Sequence, residues 1–190
     1  NNYSGVVQAV PGTGKTFVAT WLLDKHFEHG EKCLILVPSI VLLDQWKTVL
    51  EQDLGIEIDS LLGGHYGFGF NPDAPITLGV VNSVVNHRDE LCSHFDYLVA
   101  DECHRYGAVT FQNALFTETP YRLGLTATFE RSDSGVEDTL LPYFDGVCFD
   151  YGYEEARKDQ VIAPYQVLAL GVELNEDELE AYQEAGTLAG

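Results

Sequence analysis

Ala9-Val10-Pro11-Gly12-Thr13-Gly14-Lys15-Thr16 decides the fold of this chain. An apolar run from Gly5 to Val10 precedes it, and a helical pattern from Lys15 to about His29 follows. Strand, glycine-rich loop, Lys-Thr and helix in that order make a phosphate-binding loop. In such a loop the backbone N–H groups curl around a phosphate at a helix N-terminus. Gly12 and Gly14 allow positive φ and close backbone approach. Pro11, Gly12, Thr13, Gly14, Lys15 and Thr16 form the cradle for the triphosphate, in which Lys15 can reach the β- and γ-phosphates and the Thr16 hydroxyl can ligate Mg²⁺. The plain alternative is a glycine-rich turn that binds nothing, and it does not account for the coincidence of all four features.

Working outward, His94-Phe95-Asp96-Tyr97-Leu98-Val99-Ala100 reads as a short buried strand with Asp101-Glu102 at its C-terminal end. Ligands of parallel α/β sheets bind outside the carboxyl ends of strands, so both motifs are expected on one sheet edge. Asp101 there suits a Mg²⁺ shell, usually through water, and Glu102 suits an attacking water. Adjacent carboxylates on an exposed loop are ordinarily only solvated. Following a hydrophobic strand downstream of a phosphate-binding loop, they point to binding and hydrolysis of a nucleoside triphosphate.

Apolar runs alternate with amphipathic ones along the chain, the pattern of an α/β domain whose mainly parallel sheet is flanked by helices. Strands are expected at 5–10, 33–37, 56–62, 76–81, 95–100 and 121–126, and helices at 15–29, 39–53, 83–91 and 108–116. Residues 63–72 read as a Gly/Pro loop whose aromatics serve either as a hydrophobic latch or as a stacking surface for bases. After a polar loop from Phe129 to Gly135, residues 149–156 read as strand then helix start. Residues 161–174 form a strand-like run, and Asn175 with an acidic first turn starts a helix. At 190 residues the chain holds one core domain and is too short for two of this size. The expected division is a nucleotide-binding domain over 1–150 and an extension over 151–190.

Further segments stand in order with these two. They are Leu34-Ile35-Leu36-Val37-Pro38-Ser39 followed by Leu42 and Gln45-Trp46, then Thr77 to Ser83, and Leu123-Gly124-Leu125-Thr126-Ala127-Thr128. With Asp101-Glu102-Cys103-His104 they resemble the superfamily 2 helicases. The matches are to motif Ia, a strand-end nucleic-acid contact, the Thr-Ala-Thr motif III and the DExH form of motif II. Order and spacing look most like the xeroderma pigmentosum B-like branch or the related type I and III restriction motor subunits. AAA+ ATPases share the Pro-Gly-Thr-Gly-Lys-Thr loop but not His104 or the Thr-Ala-Thr segment. Superfamily 1 helicases usually carry a different motif III, and protein kinases use another glycine-rich loop.

The resemblance implies a RecA-like P-loop NTPase domain, the first of two, using ATP and Mg²⁺ and acting on single- or double-stranded DNA. Lys15, Asp101 and Glu102 would be catalytic, with Thr16 and Asp101 on Mg²⁺. His104, Thr126 and Thr128 would relay nucleotide state to a nucleic-acid face that includes Pro38, Ser39 and Asn82. The other partner implied is the second RecA-like domain, whose motif VI arginine completes the ATP site. The sequence opens at Asn1, just before the loop strand, so the upstream glutamine-bearing segment that reads adenine lies outside it. Adenine preference rests on the resemblance alone, and the 190 residues by themselves are expected to hydrolyse weakly. A nucleotide-switched module that remodels protein complexes without strand separation is the alternative from another class.

Charge pulls against a nucleic-acid partner. Ten Lys and Arg face 30 Asp and Glu, a net charge of −20, where phosphate-backbone binders usually show a basic face. One reading is a partner other than nucleic acid; the other is an origin in a high-salt cytoplasm. The scarcity of lysine (Lys15, Lys25, Lys32, Lys47 and Lys158 only) runs the whole length of the chain and favours the second. No transmembrane stretch, signal region or internal repeat is visible, so no membrane partner is expected. Cys33, Cys92, Cys103 and Cys148 lack C-x-x-C spacing, three sit in or beside apolar strands, and they read as buried thiols in a reducing cytoplasm.

Overall fold

The computed structural model describes residues 4–26 and 30–163, and positions 168, 171, 178 and 182 beyond them. Its strands are β1 (Ser4–Ala9), β2 (Cys33–Val37), β3 (Ser60–Leu62), β4 (Phe68–Gly69), β5 (Ile76–Val80), β6 (Tyr97–Asp101), β7 (Tyr121–Thr126) and β8 (Val147–Tyr151). They form one 8-stranded sheet in the order β4-β3-β5-β2-β6-β7-β1-β8. Every neighbouring pair is parallel except β3 with β4. The helices are α1 (Lys15–His26), α2 (Ile40–Asp53), α3 (Val81–Asn86), α4 (Arg88–Leu91), α5 (Leu141–Phe144) and α6 (Tyr153–Lys158).

Parallel strands covered on both faces read as unbroken apolar runs, and β2 and β5 are buried at every position. Alternation divides β2 between two cores. Leu34 and Leu36 join the layer with Val84, Leu91, Tyr106 and Phe116, while Cys33, Ile35 and Val37 join Ala19 and Leu23 of α1 and Leu43, Trp46 and Leu50 of α2. Helix α2 starts where Ser39, in extended backbone, accepts a hydrogen bond on Oγ from the Leu42 N–H at 3.4 Å. It ends before Gly55, whose φ of 66° is the usual left-handed stop. Among the described residues no helix is long and apolar enough to cross a membrane.

The parallel α/β sheet and five of the six expected strands stand close to their expected bounds. The strand expected over 56–62 is confined to Ser60–Leu62. Residues 63–72 are not simply a loop. Gly63, Gly64 and Gly67 take positive φ, reversing the chain through a 3₁₀ turn at Gly64–Tyr66, and β4 then pairs antiparallel with β3. The helix expected over 83–91 begins at Val81 and breaks at His87 (φ −118°, ψ 24°) into α3 and α4. In place of the helix expected over 108–116 stands a single 3₁₀ turn at Gln112–Ala114, which follows another at Cys103–Gly107. Ala114, Leu115 and Phe116 are consecutive and all buried, and a one-sided helical stripe cannot bury three neighbours. The run expected over 161–174 and the helix from Asn175 lie almost wholly outside the described residues, as do 27–29 at the end of the first expected helix.

Candidate functional site

Every candidate residue lies at one edge of the sheet. Strand β1 runs into the 10–14 loop, β2 into Pro38 and Ser39, β5 into Asn82, β6 ends on Asp101, and β7 ends on Thr126. These strands are mutually parallel, so their carboxyl ends share an edge. The loop strand and the Asp101 strand are not neighbours, because β7 separates β1 from β6. That insertion places Thr126 between the two halves of the site.

The loop has its expected backbone. Gly12 and Gly14 have φ of 82° and 87°. A Cβ on Gly12 would meet nothing within 4 Å, so conformation and not crowding requires glycine there. Thr13 Oγ1 donates to the Val10 carbonyl at 2.7 Å, and the first helical bond of α1 runs from Val18 N–H to Gly14 O at 3.0 Å. Lys15 Nζ donates to the Ala9 carbonyl at 2.7 Å, so its side chain spans the loop.

Asp101 is 7% exposed and both its oxygens are held. Oδ1 accepts from the Glu102 N–H at 3.0 Å, and Oδ2 accepts from Trp46 Nε1–H at 2.8 Å. Thr16 and Asp101 line one open cleft of about 610 Å³ with Asp44, Gln45 and Trp46 of α2. Glu102 sits in left-handed backbone (φ 51°, ψ 47°), which costs a residue other than glycine about 1–2 kcal/mol. Its turn redirects the chain from β6 into the 3₁₀ segment that carries His104.

His104 Nδ1 lies 2.9 Å from Thr126 Oγ1 and 3.5 Å from Glu102 Oε2. Thr126 Oγ1 spends its single proton on the Thr128 carbonyl at 2.8 Å and accepts the Thr128 N–H at 3.2 Å. His104 is therefore the donor in its bond to Thr126, which assigns the proton to Nδ1. Burial pushes the His104 pKa below its ordinary 6.5; Glu102 pulls the other way, and Arg105 and Arg131 add to the lowering. Asn82 is exposed on the first turn of α3, Pro38 is half-buried, and the Ser39 hydroxyl is engaged as the α2 cap.

Four residues given no individual role from sequence hold this arrangement. Trp46 binds Asp101. Arg131 donates to the His104 carbonyl at 2.7 Å and grips Asp133 with two bonds of 2.6 Å, holding that carboxyl down at about 2. Gln8 accepts from the Phe129 N–H at 2.9 Å and donates to Asp150 at 3.1 Å, linking the strand-end loop after β7 to β8. The Tyr106 hydroxyl lies 2.8 Å from the Asp101 carbonyl and 3.2 Å from the Leu36 carbonyl. Trp46 lies 55 positions from Asp101, Tyr106 70 from Leu36, Arg131 27 from His104 and Gln8 142 from Asp150, so these contacts leave no local signal.

Residues 1–131 match the family model described as "Type III restriction enzyme, res subunit". The chain is 31% identical over 179 residues to the DNA 3'-5' translocase XPB2 of Sulfurisphaera tokodaii, covering 94% of this chain and 38% of that protein. It is 28% identical over 193 residues to the DNA 3'-5' helicase XPB of Kineococcus radiotolerans, covering 97% and 34%. The chain thus spans little more than a third of these relatives. Among solved structures the Hef helicase domain of Pyrococcus furiosus superposes with a TM-score of 0.63 at 16% identity, over 83% of this chain and 37% of that one. At that identity the likeness speaks for the RecA-like fold alone.

Proposed function

This chain belongs to the type III restriction enzyme res-subunit family, and from that premise we propose that its sheet edge binds Mg-ATP and drives movement along DNA. It is the first RecA-like motor domain of a superfamily 2 protein of the XPB-like and restriction-motor kind. The names of the two relatives, a 3'-5' translocase and a 3'-5' helicase, support DNA as the track. The observation that carries the reading is the shared cleft of Thr16 and Asp101 beside the Lys15 loop. One hydroxyl and one carboxylate are a donor set that fits Mg²⁺ in nucleotide sites, where the ion takes one or two carboxylates plus phosphate oxygens. The ion supplies charge neutralisation on the phosphates when bound.

Pro11 to Thr16 cradle the phosphates, Gly12 to Thr16 with their backbone N–H groups, and Lys15 leaves the Ala9 carbonyl to neutralise charge developing on the γ-phosphate. Asp101 and Thr16 hold the metal. Glu102 accepts a hydrogen bond from the attacking water and orients it. His104, as Nδ1–H donor, passes a change at the DExH turn to Thr126 and Thr128, and Pro38, Ser39 and Asn82 on the same edge meet nucleic acid. The 1–150 core works against a second RecA-like domain that brings an arginine finger, worth about 10³–10⁵ in rate. Arg131 is committed to Asp133 and the His104 carbonyl and does not supply it. The acid-rich surface is an adaptation to a high-salt cytoplasm. The net charge of −20 is also the one observation that favours a protein-remodelling switch, and stimulation by DNA separates the two readings.

In a polypeptide joining this chain to a second RecA-like domain, ATP turnover should rise on adding DNA. Glu102→Gln should spare nucleotide affinity and cut turnover by about 10²–10⁴-fold. Equal losses of affinity and turnover would make Glu102 a binding residue only. Turnover indifferent to DNA would favour the remodelling module.

A further inference from the structure

We propose that Trp46 is a positioning residue for the metal-shell carboxylate, fixing Asp101 so that it meets Mg²⁺ without rearranging. The inference rests on the reading of Thr16 and Asp101 as the metal site and adds a residue that reading did not contain. Trp46 is 1% exposed, and its Nε1–H ends on Asp101 Oδ2 at 2.8 Å. Indole N–H is a donor only, so the bond has one polarity and orients the carboxylate in a single sense. The Glu102 N–H at 3.0 Å takes the other oxygen, and the two donors together leave the carboxylate little rotational freedom. Each carboxylate oxygen keeps a second lone pair, and Asp101 still lines the cleft that it shares with Thr16 and Trp46.

The position of Trp46 on α2 gives the bond a second consequence. The helix is capped by Ser39, and Trp46 stands seven residues on, two helical turns along nearly the same face. Leu43 and Leu50 anchor α2 to the sheet on either side of it. A rigid helix thus runs from the β2 strand end to the metal carboxylate, and a shift of that strand end on nucleic acid would be felt at Asp101.

Partners of this kind, one step removed from the ion, typically cost 10–100-fold in metal affinity when removed. The test is Mg²⁺-dependent binding of a fluorescent ADP analogue to this chain, compared with Trp46→Phe, which keeps an aromatic ring in the core but removes the donor along with part of the indole's bulk. Affinity without Mg²⁺, measured in EDTA, should stay within about twofold, while the Mg²⁺ concentration for half-maximal enhancement should rise about 10–100-fold. A Trp21→Phe chain leaves Trp46 as the sole indole, since the sequence has two tryptophans. Its emission should change as Mg²⁺ is added to the ADP-bound protein, with the same half-saturation. This readout does not depend on Trp46→Phe folding. An unchanged Mg²⁺ requirement in Trp46→Phe, or a Trp46 emission blind to Mg²⁺, overturns the proposal. Parent binding that ignores Mg²⁺ altogether would instead remove the metal reading itself, and the proposal with it.

Discussion

His104 shows how one side chain can register a change at a neighbouring carboxylate. Its Nδ1–H is committed to Thr126, while Glu102 sits 3.5 Å from the same nitrogen. Burial favours the neutral ring and outweighs the pull of Glu102, so its folded pKa lies below 6.5. The neutral form is then the folded form at pH 7. Its contribution to stability is complete above 6.5 and is lost as pH falls toward the depressed folded value, because the unfolded chain takes up the proton first. An NMR titration of the His104 ring should give a midpoint below 6.5, and Glu102→Gln should lower it further by removing the one opposing charge. A midpoint above 6.5 would mean that Glu102 dominates and that His104 is charged in the fold. At this scale the sequence was legible where chemistry is local. Gly12 and Gly14 in a P-loop need positive φ and have it. Trp46, Arg131, Gln8 and Tyr106 were not, because each acts through a partner that only the fold brings near.

At the scale of elements, legibility followed burial. Strands buried on both faces announce themselves as apolar runs, and β2 matches its expected bounds of 33–37. Helix α2 is readable from its Ser39 cap and the spacing of Leu43, Trp46 and Leu50. The segment between β6 and β7 was not. It reads as a helix but is assembled from 3₁₀ turns, since Glu102 in left-handed backbone and the Tyr106 hydroxyl on the Asp101 carbonyl hold the chain close to the end of β6. Gly124 in β7 allows that closeness. A Cβ there would stand 2.9 Å from Cys103 Sγ and 3.0 Å from Val6 Cγ2, so the turn after Asp101 can pack onto β7 only over a glycine. Gly124 sits within the Leu123–Thr128 segment with nothing in sequence to mark a packing role, yet it sets how near the DExH turn comes to Thr126. The β3–β4 hairpin was missed for a related reason: positive φ at Gly63, Gly64 and Gly67 makes a reversal where composition suggested only a loop.

The whole molecule carries a net charge of −20 beside a site proposed to hold a nucleotide. Thirty carboxylates against 10 Lys and Arg repel one another, and screening shortens the reach of that repulsion from about 10 Å at 0.1 M salt to about 3 Å at 1 M. If the surface is adapted to high salt, the chain should melt at a higher temperature in molar KCl than at 0.1 M. A flat or falling melting temperature would favour an acidic docking surface. The central claim is narrower than the surface and more exposed to refutation: the parallel ends of β1 and β6 assemble one nucleotide site around Lys15, Thr16 and Asp101. Calorimetric titration of Mg-ADP into the chain, beside the same titration of Lys15→Ala, tests it most directly. The loop has Lys15 as its only cation, so the parent should give saturable heat and Lys15→Ala should give none. Equal affinities in the two proteins would contradict the account.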